Sequence, residues 1–168
     1  PPLDQWHPEL SGDIDIRISR DGEWLYKGEP LKREAIVRLF STILRREDDG
    51  EYYLVTPVEK WRIQVEDAPL LAHSLEATGE GQQQVLTVTT NVGDIIAIGE
   101  DNPLEVGTYG TADEPRPVVR LQHGLTARLV IFSKSGTGVE FSPLRHHQLR
   151  QHGRKRSLTL VRLYVRSC

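Results

Sequence analysis

The residues best suited to chemistry lie in a short stretch, Thr56-Pro57-Val58-Glu59-Lys60, between two apolar runs. A lysine beside a carboxylate can bind an anionic ligand or, if it is desolvated, act as a base. The same stretch can also be a plain turn, because proline cannot donate to a strand ladder and biases Thr56 towards extended backbone. Alternation along the following strand would point Glu59 and Lys60 to opposite faces. We therefore name Thr56, Glu59, Lys60 and the nearby Asp67 as candidate ligand-binding residues, and we assign no catalytic residue.

Two further carboxylates, Asp13 and Asp15, alternate onto one face of a strand-like stretch. Paired carboxylates can bind Mg²⁺ or share a proton. Arg17 shares that face and can neutralise it, which favours a solvated strand face, so the pair is a weak indication of a metal site. The sequence shows no spacing that predicts a cofactor.

The elements that position these groups follow from hydrophobic periodicity. Residues 13–19 alternate apolar and polar side chains, and Asp21-Gly22 supplies turn chemistry before a second strand, so a β-hairpin is predicted. Residues 30–47 then change to helical spacing, which predicts an amphipathic helix that packs against the hairpin. The apolar face of that helix would comprise Ile36, Leu39, Phe40, Ile43 and Leu44.

The pattern after residue 50 is that of β-structure. Strands are predicted at Tyr52–Thr56 and Lys60–Glu66, followed by mainly antiparallel strands over residues 70–129. His73 alternates with Leu71 and Leu75, which favours a histidine in the core of the second part. The predicted fold class is α+β: a hairpin plus a helix, then an antiparallel β unit, in two small packed subdomains.

The sequence divides into four segments. Residues 1–50 are the hairpin and helix, 51–69 are connecting strands with the Thr56–Lys60 turn, 70–129 are the β subdomain, and 130–168 are an atypical tail. The tail contains eight Lys or Arg and one acid, a formal charge of +7, whereas residues 1–129 carry −10. Such a sudden change predicts a tail that is poorly packed and is not the native ending of this fold.

The composition excludes several classes of protein. The chain has 168 residues, of which 38% are hydrophobic and 27% charged, and no apolar run is long enough to span a membrane. Its single cysteine, Cys168, excludes an intrachain disulfide and cysteine-rich zinc sites. Low cysteine content fits a reducing compartment, so we expect a cytoplasmic protein.

Residues 2–129 resemble domain-of-unknown-function family 1285, a group of small bacterial proteins. The resemblance rests on Trp6 and Pro8, on Gly12–Asp15, on Asp21-Gly22, on the helix core Leu39–Leu44, and on Leu54–Lys60 and Val65–Pro69. It implies two small α+β domains, and a role in ligand-regulated signalling has been suggested for the family. It supplies no catalytic residues, and it ends at Leu129.

Three functions stay open on the sequence alone. The first is a non-enzymatic module, possessing no cofactor, that binds a small ligand or a protein partner. The second is a small hydrolase-like enzyme that uses Glu59 and Lys60, or Asp13 and Asp15. The third is nucleic-acid binding through the basic tail, which is the least favoured because the tail lacks interleaved aromatic residues. The ligand and the oligomeric state are not encoded in any motif.

Overall fold

The chain folds mainly as β-structure, in two six-stranded sheets with one α-helix. The computed structural model describes residues 1–110 and 114–130, together with the backbone of residues 142–143 and 161–162. The predicted hairpin and helix are both present. The fold is nevertheless mainly β rather than α+β, because the hairpin is only part of a larger sheet and the helix is short and single.

The first sheet holds the predicted hairpin at its centre. Its strands, in chain order, are β1 (Leu10–Ile18), β2 (Trp24–Tyr26), β3 (Glu29–Pro30), β4 (Leu44–Arg46), β5 (Tyr52–Val55) and β6 (Lys60–Val65). Their spatial order is β3-β2-β1-β6-β5-β4. The central strands β1 and β6 run parallel, and every other pair is antiparallel. The sheet therefore joins two antiparallel meanders through one parallel pair.

The second sheet repeats this topology. Its strands are β7 (Leu70–Thr78), β8 (Val85–Thr90), β9 (Ile95–Ile98), β10 (Leu104–Thr108), β11 (Pro115–Arg120) and β12 (Thr126–Leu129). Their spatial order is β9-β8-β7-β12-β11-β10, again with the first and last strands parallel at the centre. Each half of the described chain is thus the same six-stranded arrangement.

The helix α1 (Glu34–Thr42) connects β3 to β4. Phe40 packs against Trp24, with ring centroids 6.1 Å apart, and Val37 and Ile43 also cover the first core. The expectation that Leu39 faces the core was wrong, because Leu39 is 59% exposed. The helix ends at Thr42, so Leu44 belongs to β4, where it is fully buried in the same core.

The two sheets pack through shared apolar residues and a few hydrogen bonds. Val37 and Leu121 contact the cores of both units, and Leu125 from the second unit is buried in the first core. On the polar side, Arg38 Nε donates to Val92 O at 2.9 Å, and Asn91 Nδ2 donates to Gly22 O at 3.3 Å. The two units therefore share one continuous interface.

His73 lies on the exposed face of β7, opposite the face that carries the buried Leu70 and Ala72. The pairing of β7 with β8 shifts register between Ala72 and Ser74. Leu70 and Ala72 are buried, whereas His73 is exposed, so the prediction of a core histidine was wrong. A bulge inserts one residue into a strand and reverses the alternation beyond it, which is why Leu75, an odd number of residues from Ala72, also packs against the second core.

Beyond residue 130 the structure describes only a short antiparallel pair, β13 (Ser142–Pro143) with β14 (Val161–Arg162). The predictions that the basic tail is poorly packed and that it binds nucleic acid lie outside the described residues. Within the part of the chain that the structure describes, no helix is long and apolar enough to cross a membrane.

Candidate functional site

The Thr56–Lys60 stretch forms the tight turn between β5 and β6. The hydroxyl of Thr56 accepts hydrogen bonds from the backbone N–H of Glu59 at 3.0 Å and of Val58 at 3.4 Å, and Thr56 N donates to Glu59 O at 2.9 Å. The Glu59 carboxylate accepts a 3.4 Å hydrogen bond from the indole N–H of Trp61. Thr56 and Glu59 therefore shape the turn and its flank.

Lys60 points away from that turn, into a charged environment. Its Nζ donates to Glu47 Oε2 at 3.0 Å and Oε1 at 3.3 Å, and it lies 4.8 Å from the ring centroid of Tyr53. Only 17% of the Lys60 side chain is exposed. Of the predicted candidates Lys60 alone reaches this environment, because β6 begins beside the loop that joins β4 to β5.

The surface around Lys60 is a cleft of about 690 Å³. It lies between the N-terminal segment and the loop of the β4–β5 hairpin. Its lining, which we call the charged cleft, comprises Asp4, His7, Pro8, Arg45, Arg46, Glu47, Asp48, Asp49 and Lys60. Four carboxylates face three cations, so its formal charge is −1 with His7 neutral.

The three cations of the charged cleft already have acceptors. Arg45 donates to Leu3 O and Trp6 O, both at 2.9 Å, and forms an ion pair with Glu47. Arg46 Nε donates to Gly50 O at 3.1 Å. Lys60 shares the Glu47 carboxylate with Arg45, so an anion could engage either cation only by displacing that carboxylate. Arg46 is exposed and its acceptor is a neutral carbonyl, so it carries a positive charge that no carboxylate among the described residues neutralises.

The carboxylates of the charged cleft differ in their partners. Asp49 accepts a hydrogen bond from the Tyr53 hydroxyl, and Asp4 lies 3.1 Å from Nδ1 of His123 in the second unit. Within residues 1–110 and 114–130, the side chains of Asp48 and His7 make no hydrogen bond or ion pair. Among the described residues, Asp48 is therefore the lining carboxylate that has no hydrogen-bond partner.

The pKa shifts at the charged cleft fix its charges at neutral pH. Burial raises the pKa of Glu47, but the hydrogen bonds from Lys60 and Arg45 outweigh it, and the resulting pKa lies below the ordinary value. The hydrogen bond with Asp49, assisted by burial, raises the pKa of Tyr53 to about 12. The same bond, with that from the Glu51 N–H, lowers the pKa of Asp49. Each group is thereby held in its ordinary neutral-pH form.

Asp67 lies at a different place, where the two units meet. Arg116 contacts Asp67 Oδ1 through Nε at 2.9 Å and Nη2 at 2.8 Å. Arg128 Nε lies 2.7 Å from Asp67 Oδ2, off the N–H direction, and the Tyr109 hydroxyl donates to the same oxygen at 3.1 Å. Asp67 therefore does not join Thr56, Glu59 and Lys60 in one site.

Of the second candidate pair, Asp13 and Asp15, the first is held by an arginine. Arg62 on β6 holds Asp13 in a bidentate pair, with Nε–Oδ1 at 2.6 Å and Nη2–Oδ2 at 3.0 Å. The hydrogen bond from Arg62 lowers the pKa of Asp13. Within the described ranges no three His, Cys, Asp or Glu side chains are arranged to hold a metal ion.

Comparison with known families agrees with the resemblance in sequence. The N-terminal domain model of DUF1285, a domain of unknown function, matches residues 1–68, and its C-terminal domain model matches residues 69–131. The chain belongs to the DUF1285 family. No curated protein matches it.

Two solved structures of DUF1285 proteins resemble the chain. The protein from Silicibacter pomeroyi DSS-3 has a TM-score of 0.72 and 49% identity, over 77% of this chain and 70% of that one. The protein from Shewanella baltica OS155 has a TM-score of 0.54 and 33% identity, over 68% of this chain and 83% of that one. These relatives support the two-unit fold of DUF1285.

Sequence reasoning missed most of the charged cleft of this DUF1285 protein. Of the residues that line the cleft, Lys60 was the single predicted candidate. A run of three acids, Glu47 to Asp49, in a loop was the available signal. The arginines around Asp67 offered no such signal, because they come from strands far along the chain.

Proposed function

We propose that this DUF1285 protein is a non-enzymatic binding module whose charged cleft takes a small ligand with a cationic group, an amine or a guanidine. The observation that carries the proposal is the net negative charge of the lining, in which Arg45 and Lys60 are both engaged by Glu47 and the Asp48 carboxylate has no partner among the described residues. An incoming ammonium would supply the missing positive charge.

The size of the charged cleft supports a small ligand. A volume of about 690 Å³ lies within the range of roughly 300–1,000 Å³ typical of small-molecule sites. The lining is highly charged, so it favours a polar ligand such as a di- or polyamine over an apolar one.

An anionic ligand at Lys60 fits the cleft less well. It would have to separate Lys60 from Glu47, whose side chains are 17% and 25% exposed. Breaking a partly buried pair leaves an uncompensated charge, which costs more than the pair itself contributes. A cationic ligand can bind while the Lys60–Glu47 pair stays intact, so we expect the charged cleft to prefer cations over anions.

The pKa shifts support binding over catalysis. A general acid or base works best with a pKa near the operating pH. Here the pKa of Glu47 and Asp49 is lowered and that of Tyr53 is raised to about 12, all away from neutrality. Glu59 and Lys60 also diverge to different partners, so the hydrolase-like alternative gains no geometric support.

The proposal also includes a role in signalling and a location in the cytoplasm. The suggested role of the family in ligand-regulated signalling is consistent with a binding module, and the single cysteine favours the cytoplasm. A module of this kind would report the occupancy of the charged cleft to a partner through the second unit, since His123 of that unit contacts Asp4.

The test is thermal unfolding and calorimetry with spermidine, at constant ionic strength, with citrate as the anionic comparison. At a spermidine concentration about 100 times its Kd, the stabilisation is about 2.7 kcal/mol. For a chain of this size the Tm should then rise by roughly 5–10 °C. Asp48→Asn should abolish most of that rise, because it removes the carboxylate that has no partner among the described residues.

Asp101→Asn is the matched control, since it makes the same change of charge at an exposed loop position outside the cleft. It should leave the spermidine response unchanged. The proposal is wrong if spermidine does not bind, if citrate stabilises the protein as strongly, or if the two variants behave alike.

A further inference from the structure

A second charged group of side chains lies where the two units meet. We call it the arginine cluster: Arg17, Arg20, Arg116 and Arg128, with Glu66, Asp67 and Tyr109. Its four guanidinium groups and two carboxylates give a formal charge of +2. This positive charge stands out because residues 1–129 carry a formal charge of −10 in total.

Both carboxylates of the arginine cluster are already occupied. Asp67, whose side chain is 12% exposed, is held by Arg116, Arg128 and the Tyr109 hydroxyl. Glu66 accepts the Arg20 backbone N–H at 2.8 Å through Oε2, and its Oε1 lies 3.4 Å from Arg17 Nε. Neither acid can therefore neutralise a further guanidinium.

Arg20 carries a positive charge that neither carboxylate of the arginine cluster neutralises. Its guanidinium carbon lies 4.7 Å from the ring centroid of Tyr109, and it has no carboxylate partner among residues 1–110 and 114–130. The guanidinium of Arg116 lies 5.8 Å from the same ring. Two guanidinium groups thus adjoin one aromatic side chain, and only that of Arg116 is paired.

The backbone that carries Arg20 is fixed on both sides. Glu66 accepts its N–H, and Arg128 Nη2 donates to its carbonyl oxygen at 3.0 Å. Two residues further on, the carbonyl of Gly22 accepts from Asn91 of the second unit at 3.3 Å. Because the main chain of this turn is already held in place, a ligand that binds there loses less free energy to ordering it.

We propose that the arginine cluster binds a phosphate group, with Arg20 as its principal contact and Tyr109 and Arg116 beside it. A planar guanidinium matches the oxygens of phosphate in a bidentate fashion. A phosphate monoester carries about −1.5 to −2 charges near neutral pH, which matches the excess of two positive charges better than a single carboxylate does. This site is separate from the charged cleft and does not depend on its function.

The test is titration calorimetry with inorganic phosphate, phosphoserine and, as the anion that lacks phosphorus, acetate, all at constant ionic strength. Arg20→Gln should weaken phosphate binding about tenfold or more, because it removes a charge-assisted contact. Arg20→Lys should lose only part of the affinity, because it keeps the charge but not the bidentate geometry.

Arg120→Gln is the matched control. It removes the same charge from an exposed pair with Glu105, in which the arginine side chain is 63% exposed, and it should change phosphate affinity less than twofold. Melting temperatures of all variants establish that they are folded. Tighter binding of phosphoserine than of inorganic phosphate would identify a phosphomonoester, and the reverse would identify the free ion.

The proposal is overturned if phosphate does not bind, if acetate binds equally well, or if Arg20→Gln and Arg120→Gln lose the same affinity. Asp48→Asn, in the charged cleft, should leave phosphate binding unchanged. If phosphate binds but spermidine does not, the proposed function of the charged cleft is rejected and the arginine cluster stands. If spermidine binds but phosphate does not, the arginine-cluster proposal is rejected and the charged cleft stands.

Discussion

The substitution Gly124→Ala tests how closely the second unit packs on β4 of the first. Gly124 has φ +71°, and an ideal Cβ there would lie 2.8 Å from Arg46 O and 3.2 Å from Arg46 Cβ. The carbonyl oxygen belongs to the backbone of a paired strand, so it cannot move away as the end of a flexible side chain could. Gly28 offers the control, since it has φ +79° and no atom within 4 Å of the same ideal Cβ.

The two substitutions share one cost and differ in another. Each places a Cβ in the left-handed region, at about 1–2 kcal/mol, and each gains about 0.4–1 kcal/mol from a less flexible unfolded chain. Gly28→Ala should therefore lower the free energy of unfolding by about 1 kcal/mol or less. Gly124→Ala adds an overpacking cost of about 1–3 kcal/mol.

Urea unfolding followed by tryptophan fluorescence, to which the buried Trp24 contributes together with Trp6 and Trp61, measures both variants. The difference between their free energies of unfolding should be at least about 1 kcal/mol, with equal m-values. Equal destabilisation of the two variants would refute the close approach of the 122–124 turn to Arg46. A smaller effect of Gly124→Ala than of Gly28→Ala would refute it equally.

Two further predictions concern side chains of the first unit. Because the pKa of Tyr53 is about 12 when folded and ordinarily about 10, the associated stabilisation is complete below about pH 10 and is lost as the pH rises through about 12. Tyr53→Phe should reduce that loss and remove a tyrosine with a pKa of about 12 from an absorbance titration at alkaline pH. The exposed Tyr26 serves as the control, and an unchanged titration would contradict the Tyr53–Asp49 bond. Phe40→Ala should lower the free energy of unfolding by about 2–4 kcal/mol, because Phe40 packs on Trp24, and Leu39→Ala by less than about 1 kcal/mol, because Leu39 is 59% exposed. Equal losses in urea unfolding would show that the helix face is misassigned.

Local patterns predicted the elements that depend on neighbouring residues. The β1–β2 hairpin, the turn at Pro57 and the helix all follow from alternation, turn chemistry and helical spacing within short windows. The errors arose where a tertiary feature overrode the local pattern. The core face of β7 carries Leu70 and Ala72 and so excludes His73, and α1 packs on the core through Val37 and Phe40 rather than Leu39. The end of α1 at Thr42 places Leu44 in a strand.

The two charged sites could not be assembled from sequence spacing. Lys60 and Glu47 are 13 residues apart and meet because β4, β5 and β6 form a meander. Asp67 and Arg116 are 49 residues apart and meet only because β11 and β12 return beside the connection between the sheets. Neither contact can be recognised from a pattern in the sequence, because each depends on the spatial order of the strands rather than on the conformational preference of neighbouring residues.

The repeated topology explains why the two sites occur where they do. In each half the fourth and fifth strands form a hairpin beside the central parallel pair: β4–β5 in the first half and β10–β11 in the second. The first hairpin loop supplies Glu47, Asp48 and Asp49 to the charged cleft, and the end of β10 leads into Tyr109 of the arginine cluster. Strand order is maintained by buried apolar residues, which need only the right size and alternation, whereas a loop is free to change its charge. One scaffold used twice can therefore present an acidic site in the first half and supply Tyr109 and Arg116 from the second half to a basic site where the halves meet, without leaving a sequence repeat that joins them.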